Sequence, residues 1–526
     1  MRILVCDGLE KNGVEILRAA SGIAVDERPS IGADELAQII TDYDALIVRS
    51  KTKVTADLIE RARTLRVVGR AGTGVDNIDV EAATRRGIVV MNAAAGNTVT
   101  TAEHTWAMLM AMARQIPQAA ASTKAGRWEK NRFLGVELMG KTLGVVGLGR
   151  IGSAVAERAR AFGMNVLAYD PYFTPEAARE LGIEMLTLDE IFPRADFITI
   201  HTPLTEETRG IINSAAIEKM KPGVRLINCA RGGLIDERAL AAALSSGKVA
   251  GAALDVFEQE PTSPDNPLLA FDQVIATPHL GASTTEAQLG VATIIAEQVL
   301  DYLKHATVRG AVNMPAVSAE LLAAIGPYIV LGEKIGLFQG KVFGHDLREV
   351  LIEYSGDVTE QDVKPITQSI LAGLLSPVIE RVNMVNAALV AEHRGIKVTE
   401  SISRRARDYA SMIRVRAVTA EQESEVAGAL FGRRDGRIVR INGFNLEAIP
   451  KGHMLLLFNR DEPGVLGRVA TFIGDHRVNI SRLYLGRKKI GERALALIQI
   501  DQQLAEDVLR QLATLPAVIS VKQLKL

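Results

Sequence analysis

Apolar and polar positions alternate along this chain in two rhythms, one of strands and one of helices. From residue 1 to about 97, short apolar runs (Ile3 to Cys6, Ala45 to Val48, Val67 to Gly69, Ile88 to Val90) are separated by stretches of helical spacing. That alternation predicts buried parallel strands with helices around them. A long helical stretch, Thr100 to Lys124, leads into a second series: Leu143 to Val146, Val166 to Tyr169, Phe197 to Ile200, Arg225 to Asn228, Ala252 to Asp255 and Val274 to Ala276. These six strands predict a second, doubly wound sheet. A further helical pattern, Thr284 to His305, predicts that the chain then crosses back to the first sheet. Two connections near 97–100 and 281–286 would leave a cleft between hinged domains.

From about 315 to 450 the texture changes. Strand-like stretches (Val350 to Tyr354, Met412 to Val418, Arg437 to Ile441) surround one helical region, Pro365 to Ala387. The tail reads strand, helix, strand, strand, helix, strand: Met454 to Phe458, Gly464 to Gly474, Asn479 to Leu485, Arg493 to Ile500, Ala505 to Leu515 and Val518 to Leu526. This βαββαβ order is the ferredoxin-like split. The expected domains are therefore 1–98 with 284–314, then 99–283, an α+β domain at 315–450, and 451–526.

Composition narrows the class. The 526 residues hold 61 Lys plus Arg against 62 Asp plus Glu, so no global field favours nucleic acid or a membrane surface. Cys6 and Cys229 fall on separate predicted strands, which argues against a disulfide scaffold or a metal site and fits a reducing cytoplasm. The start, MRILVCDG, reads as a first strand rather than a signal peptide. No stretch approaches eighteen uninterrupted apolar residues, so no membrane span is expected.

Candidate chemistry begins at LGVVGLGRIG, Leu143 to Gly152. Gly147 permits a tight turn, Gly149 lets backbone approach a pyrophosphate, and Gly152 lets helix and strand pack closely. Arg150, Ile151 and Gly152 open a helix whose N-terminus faces the anion. Asp170 closes the next strand, placed to bind an adenosine ribose and to repel a 2′-phosphate, so NAD is favoured over NADP. Ligands in open sheets sit beyond the carboxyl ends of strands. Those ends carry His201-Thr202, Cys229-Ala230-Arg231, Asp255 with Glu258 and Glu260, and Pro278-His279. Oxidising an alcohol needs a base and a cation beside the reacting oxygen. Two histidines, His201 and His279, qualify as base, and spacing alone does not choose between them. In the first domain, Arg49, Lys51 and Arg70 follow strand ends, a cluster suited to an anion beyond one carboxylate, such as a phosphate.

The motifs GKTLGVVGLGRIG, Asp170-Pro171, HTPLTEETRG, NCARGG, ALDVFEQEP and TPHLGAST resemble the D-isomer-specific 2-hydroxyacid dehydrogenases. The resemblance implies two Rossmann-like domains flanking a cleft, and a catalytic set of Arg231, Glu260 and His279. Arg231 would bind the substrate carboxylate and polarise the C2 oxygen, His279 would be the base, and Glu260 would hold it. His201 becomes a wall of the cofactor cleft. The resemblance further implies NAD contacts from Thr73, Thr202, Cys229, Ala230, Asp255, Gly281 and Ala282, and substrate contacts from Gly72 and Gly74 beside Arg49, Lys51 and Arg70. Residues 453–526 resemble an ACT domain, a module that binds amino acids at subunit interfaces, with Asn459, Asp461 and Asn479 as candidate effector contacts. Dehydrogenase, intervening domain and ACT domain in this order resemble the long-form D-3-phosphoglycerate dehydrogenases. That implies 3-phosphoglycerate as substrate, L-serine as effector and a homotetramer. Other readings are a dehydrogenase of another 2-hydroxy acid such as 2-hydroxyglutarate, and a non-catalytic NAD-sensing protein. The basic stretch Arg433 to Arg440 reads as a solvated hairpin before it reads as an anion site.

Overall fold

The computed structural model describes residues 1–305, 307–314, 319–343, 346–405, 408–432 and 434–526. The first sheet is wholly parallel, in the spatial order Ala24–Arg28, Arg2–Cys6, Ala45–Val48, Val67–Arg70, Val89–Asn92. Its edge strand Ala24–Arg28 (AVDER) escapes an apolar pattern because it is mostly polar and partly exposed. The second sheet runs Val274–Ala276, Val249–Leu254, Val224–Asn228, Phe197–Ile200, Thr142–Val146, Asn165–Tyr169, and a two-residue strand Glu184–Met185 that the sequence pattern had not shown. All its neighbours are parallel. The strand order reverses between Thr142–Val146 and Phe197–Ile200, so the glycine loop and His201-Thr202 emerge side by side.

The helical stretch expected at 100–124 is two helices, Thr98–Ala113 and Ile116–Lys124. They break at Gln115, which adopts a left-handed φ of 49°, ahead of Pro117 in the second helix's first turn. The returning helix Thr285–His305 buries Val291, Ala292, Ile295, Ala296 and Val299 in the same core as Ile3, Val5, Ile47 and Val67. Asn313 then ties the chain to the first sheet, accepting from Val90 N–H at 2.9 Å.

The intervening sheet has the order Lys397–Ser403, Leu347–Gly356, Ser411–Thr419, Glu423–Phe431, Asp435–Ile441, Phe444–Ala448. The single helix expected over 365–387 ends at Leu375, and a second one, Ala387–His393, follows. In the basic stretch, Arg433 lies outside the described residues. Arg437 pairs with Asp435 at 2.8 Å and Arg440 with Asp408 at 3.2 Å, on a strand of an antiparallel hairpin.

The longest helix, Ala319–Phe343, was not anticipated. Leu321–Val342 is long and apolar enough to cross a membrane, which counting uninterrupted apolar runs misses because Glu333 and Lys334 interrupt it. Here Ile325, Leu331, Ile335, Phe338 and Val342 are buried in the intervening core. Its glycines explain the packing. A Cβ on Gly336 would lie 2.1 Å from Ile370 O, one on Gly340 2.3 Å from Leu374 O, and one on Gly373 of the facing helix 2.2 Å from Glu333 O. The two helices touch backbone to backbone.

The ACT sheet has the order Ile480–Arg487, Arg493–Ile500, His453–Arg460, Val518–Lys525, with helices Val465–Asp475 and Glu506–Ala513. That is the expected split βαββαβ. One face (Leu455, Leu457, Ala496, Ile498) packs on those helices, and the other (Met454, Leu456, Leu495, Leu497) joins the intervening core.

Gly336→Ala should lower unfolding stability by about 1–3 kcal/mol, because the helix pair must separate. Gly467→Ala, where a Cβ meets nothing within 4 Å in the helix Val465–Asp475, should be neutral or stabilising. Chemical denaturation of both variants checks the contrast.

Candidate active site

The glycine loop is built by close approach. Gly147 has φ +94°, and a Cβ there would lie 2.8 Å from His201 C and 2.9 Å from Thr202 Cγ2. A Cβ on Gly152 would lie 2.0 Å from Gly147 O, so the helix Arg150–Ala161 begins hard against the turn. Gly149 faces open space, and no side chain caps the helix, which leaves the backbone N–H groups around Arg150, Ile151 and Gly152 available to an anion. Asp170 accepts from Leu148 N–H and Tyr172 N–H, both at 2.8 Å, which fixes its carboxylate beside the loop. Thr202 Oγ1 is buried without a partner. An open backbone cradle, a fixed acid and an unpartnered hydroxyl at the sheet's switch point fit a dinucleotide.

The two candidate bases separate. His201 is partly buried behind Gly147 with Nε2 2.9 Å from Thr199 Oγ1, and its loss of solvent pulls its pKa down to about 4, so it stays neutral with no carboxylate partner. His279 is half-exposed in the cleft, with Nδ1 2.7 Å from Glu260 Oε2. Burial raises the Glu260 carboxyl, but bonds from His279 and Phe257 N–H, with the charge of Arg231, bring it below its ordinary range. An ionised carboxylate only accepts, so Nδ1 carries the proton and Nε2 is free to take another.

Arg231 is held from across the cleft. Its Nε lies 3.0 Å from Asp76 Oδ2, on the first domain's loop, and its Nη1 donates to Ala230 O at 2.6 Å. A Cβ on Gly74 would fall 1.8 Å from Arg231 Nη2, so glycine there makes room for the guanidinium. Gly72, at φ +147°, gives the same room to Arg70, whose Nη1 would otherwise be 1.4 Å away. Arg49, Lys51, Lys53, Arg70 and Gly72 line one cleft of about 860 Å³ with Glu260, His279 and Ala282. Burial, then the charges of Arg231 and Arg49, pull Arg70 down to about 10, and its Nε is buried without a partner.

Several predicted cofactor residues build the frame. Thr73 Oγ1 bonds Asn97 Oδ1 at 2.7 Å. Burial, and then the charge of Asp255, push the Cys229 thiol up to about 12, and both cysteines are free. Asp255 is fully buried and accepts from Leu280 N–H and Gly281 N–H, each at 2.8 Å, and from Thr277 Oγ1 at 2.6 Å. Among the described residues no cluster suits a metal.

In the ACT domain the three candidate contacts do not meet within one chain. Asn459 pairs with Ala494, whereas Ile480, next to Asn479, pairs with Ile500. Six residues of strand put them about 20 Å apart. Asp461 accepts from Arg487 Nη1 at 3.4 Å and Asn479 donates to Asp501 at 3.0 Å. Sequence reasoning also passed over Asp76, Lys53 and Gln288, which accepts from Arg49 Nη1 at 3.5 Å. Asp76 stood inside a loop singled out for its arginine and glycines, but nothing in the sequence linked it to Arg231.

Gly152→Ala should weaken NADH binding about tenfold or more, read by fluorescence titration. Gly149→Ala should leave stability unchanged and still weaken NADH if its open space admits a pyrophosphate to the backbone.

The family model of the D-isomer specific 2-hydroxyacid dehydrogenase NAD binding domain matches residues 106–281, the D-3-phosphoglycerate dehydrogenase intervening domain 324–442, and the ACT domain 453–517. The chain is 45% identical to D-3-phosphoglycerate dehydrogenase of Bacillus subtilis, over all of this chain and 99% of that one. It is 43% identical to the Methanocaldococcus jannaschii enzyme of the same name over the full length of both. D-lactate dehydrogenase from Aquifex aeolicus, solved with NAD and lactic acid, superposes at a TM-score of 0.52 and 30% identity, covering 57% of this chain and 95% of that one. A glyoxylate reductase from Paecilomyes thermophila gives 0.55 and 30%, covering 59% and 98%. The chain therefore belongs to the D-3-phosphoglycerate dehydrogenases within the D-isomer-specific 2-hydroxyacid dehydrogenase family, and is an NAD-dependent dehydrogenase.

Proposed function

We propose that this enzyme oxidises 3-phospho-D-glycerate to 3-phosphooxypyruvate, the first step of L-serine synthesis, and that L-serine regulates it through the ACT domain. The observation that carries the substrate is the charge of the cleft. Arg49, Lys51, Lys53 and Arg70 face the His279–Glu260 pair, more positive charge than one carboxylate needs. NAD supplies the hydride acceptor when bound. Arg231 binds the substrate carboxylate and polarises the C2 oxygen; His279 Nε2 takes the hydroxyl proton; Glu260 stabilises the imidazolium that results. Arg49 and Arg70, with Lys51, hold the phosphate. Gly149 with Arg150, Ile151 and Gly152 holds the pyrophosphate. Thr73, Asp170, Thr202, Cys229, Ala230, Asp255, Gly281 and Ala282 frame the rest of the cofactor site.

Two exposed apolar patches support a homo-oligomer, which we take to be a tetramer. Trp128, Leu134 and Met139 are 77–86% exposed on the cofactor domain, and Leu483 and Leu485 are exposed on the ACT edge strand Ile480–Arg487. Antiparallel pairing of two copies of that strand would bring Asn479 of one copy to the Arg487 end of the other, where Asp461 lies. That arrangement would reunite the effector contacts that one chain separates.

NADH formation should be fastest with 3-phosphoglycerate among 3-phosphoglycerate, D-lactate, D-glycerate and 2-hydroxyglutarate. His279→Ala should lower kcat by about 10²–10⁴-fold with NADH affinity kept. No preference for the phosphorylated substrate would overturn the assignment. Asp461→Ala should abolish the response to L-serine at an unchanged basal rate; a wild type indifferent to serine would remove the regulatory reading.

A further inference from the structure

We propose that His104 is a positioning residue for the dehydrogenase reaction: from the helix Thr98–Ala113 it grips the buried Asp255 carboxylate and, through it, the backbone that aims His279. The proposal rests on His279 being the base. His279 sits at φ +56°, a left-handed conformation that a side chain with a Cβ occupies only when its surroundings impose it. Asp255 is what imposes it. Three consecutive amides bind this one residue: His279 N–H donates to Asp255 O at 2.9 Å, and Leu280 and Gly281 N–H donate to its carboxylate at 2.8 Å each.

That carboxylate is 1% exposed and has four side-chain or backbone donors, of which His104 alone can carry charge. His104 Nε2 lies 3.1 Å from Asp255 Oδ1 and 3.5 Å from Thr277 Oγ1. Its side chain is 19% exposed, enough to exchange a proton with solvent. The other titratable groups near Asp255 are the Cys229 thiol, neutral at working pH, and the His279–Glu260 pair on the cleft side. Burial raises the Asp255 carboxyl, and the bonds from His104, Thr277 and Leu280 more than reverse it. The same helix face makes further contacts with the loop, since Thr101 Oγ1 donates to Gly281 O at 3.0 Å and Thr100 Oγ1 lies 3.3 Å from Thr284 Oγ1. His104 thus belongs to a seam that joins the interdomain crossing to the base.

The test is kcat and KM against pH for His104→Ala and His104→Gln, in the full-length enzyme with its best 2-hydroxy acid substrate. His104→Ala should lose about tenfold in kcat, as a misplaced base does, with KM within about twofold. Its acid limb should move to higher pH, because Asp255 without that partner protonates sooner. His104→Gln keeps an N–H donor but cannot take up a proton, so it should recover most of kcat at the plateau while its acid limb stays displaced. An unmoved acid limb in both variants, or equal loss of kcat in both, overturns the role. If His104→Ala unfolds, the limb of His104→Gln decides. His279→Ala run alongside separates the two failures: an active His279→Ala enzyme overturns the base, whereas an inactive one with unmoved His104 variants overturns His104 alone.

Discussion

The structure depends on one docking event, the return of helix Thr285–His305 to the first sheet. Glycines make it possible. A Cβ on Gly13 would lie 2.8 Å from Ala292 O, one on Gly69 2.9 Å from Ile295 Cγ1, and one on Gly96 2.7 Å from Val291 Cγ1. With these positions bare, the helix lies directly against helix Lys11–Ala19, strand Val67–Arg70 and the loop at Gly96, and each aliphatic side chain it buries contributes about 1.5–3 kcal/mol. The chain must then cross between domains twice, and the crossings touch at Thr100 and Thr284. Carboxyl ends of both sheets consequently face each other. Arg49 and Arg70 of one and His279 of the other share a cleft only because of that return.

The cleft concentrates like charge at a cost to the free protein. Arg70 is buried close enough to Arg231 and Arg49 for their charges to lower its pKa. Asp76 and Asp7 offset part of this. Asp76 pairs with Arg231, and Asp7 accepts from Arg49 N–H at 2.9 Å and Thr52 N–H at 3.0 Å, fixing the loop that carries Arg49 and Lys51. Neither acid reaches Arg70 Nε, which remains without a partner. A site short of negative charge by this margin suits a polyanion better than a simple monocarboxylate, which is the physical basis of the proposal that the substrate is a phosphorylated hydroxy acid.

What was legible in the sequence follows from how each feature is encoded. Both parallel sheets were readable because buried strands are nearly continuous apolar runs, and the edge strand Ala24–Arg28 was lost because an edge need not be apolar. The glycine loop was readable because its chemistry is local. The His279–Glu260 pair was legible only through family resemblance, since their separation of nineteen positions follows no spacing rule. Asp76 and His104 were illegible for the same reason in stronger form: each acts on a partner about 150 residues away, Arg231 and Asp255. The helix Ala319–Phe343 was obscured by its glycines, which read as breakers along the chain but serve as contact points against Gly373 and its neighbours.

The same close packing constrains how a signal from the tail can reach the cleft. The ACT sheet and the intervening domain do not meet as two finished surfaces; Met454, Leu456, Phe458, Leu495, Leu497 and Leu524 belong to one core with Val350, Ile352, Phe338 and Ile413. Lys341 Nζ adds a bond to Lys525 O at 2.8 Å. From that core, the turn before helix Ala387–His393 reaches the first domain, where Asn383 donates to Gly87 O at 2.8 Å and Asn386 to Arg85 O at 3.2 Å. A shared core resists internal slippage, so the intervening and ACT domains move together. The same turn also buries Val385 in the first domain's core, so the contact at Gly87 couples that domain to the intervening one by packing as well as by polar bonds. On the proposed regulation, a ligand that reorients the ACT sheet would act through this contact on the pose of the first domain, and with it on the distance from Arg49 and Arg70 to His279, without deforming the loop that carries His279.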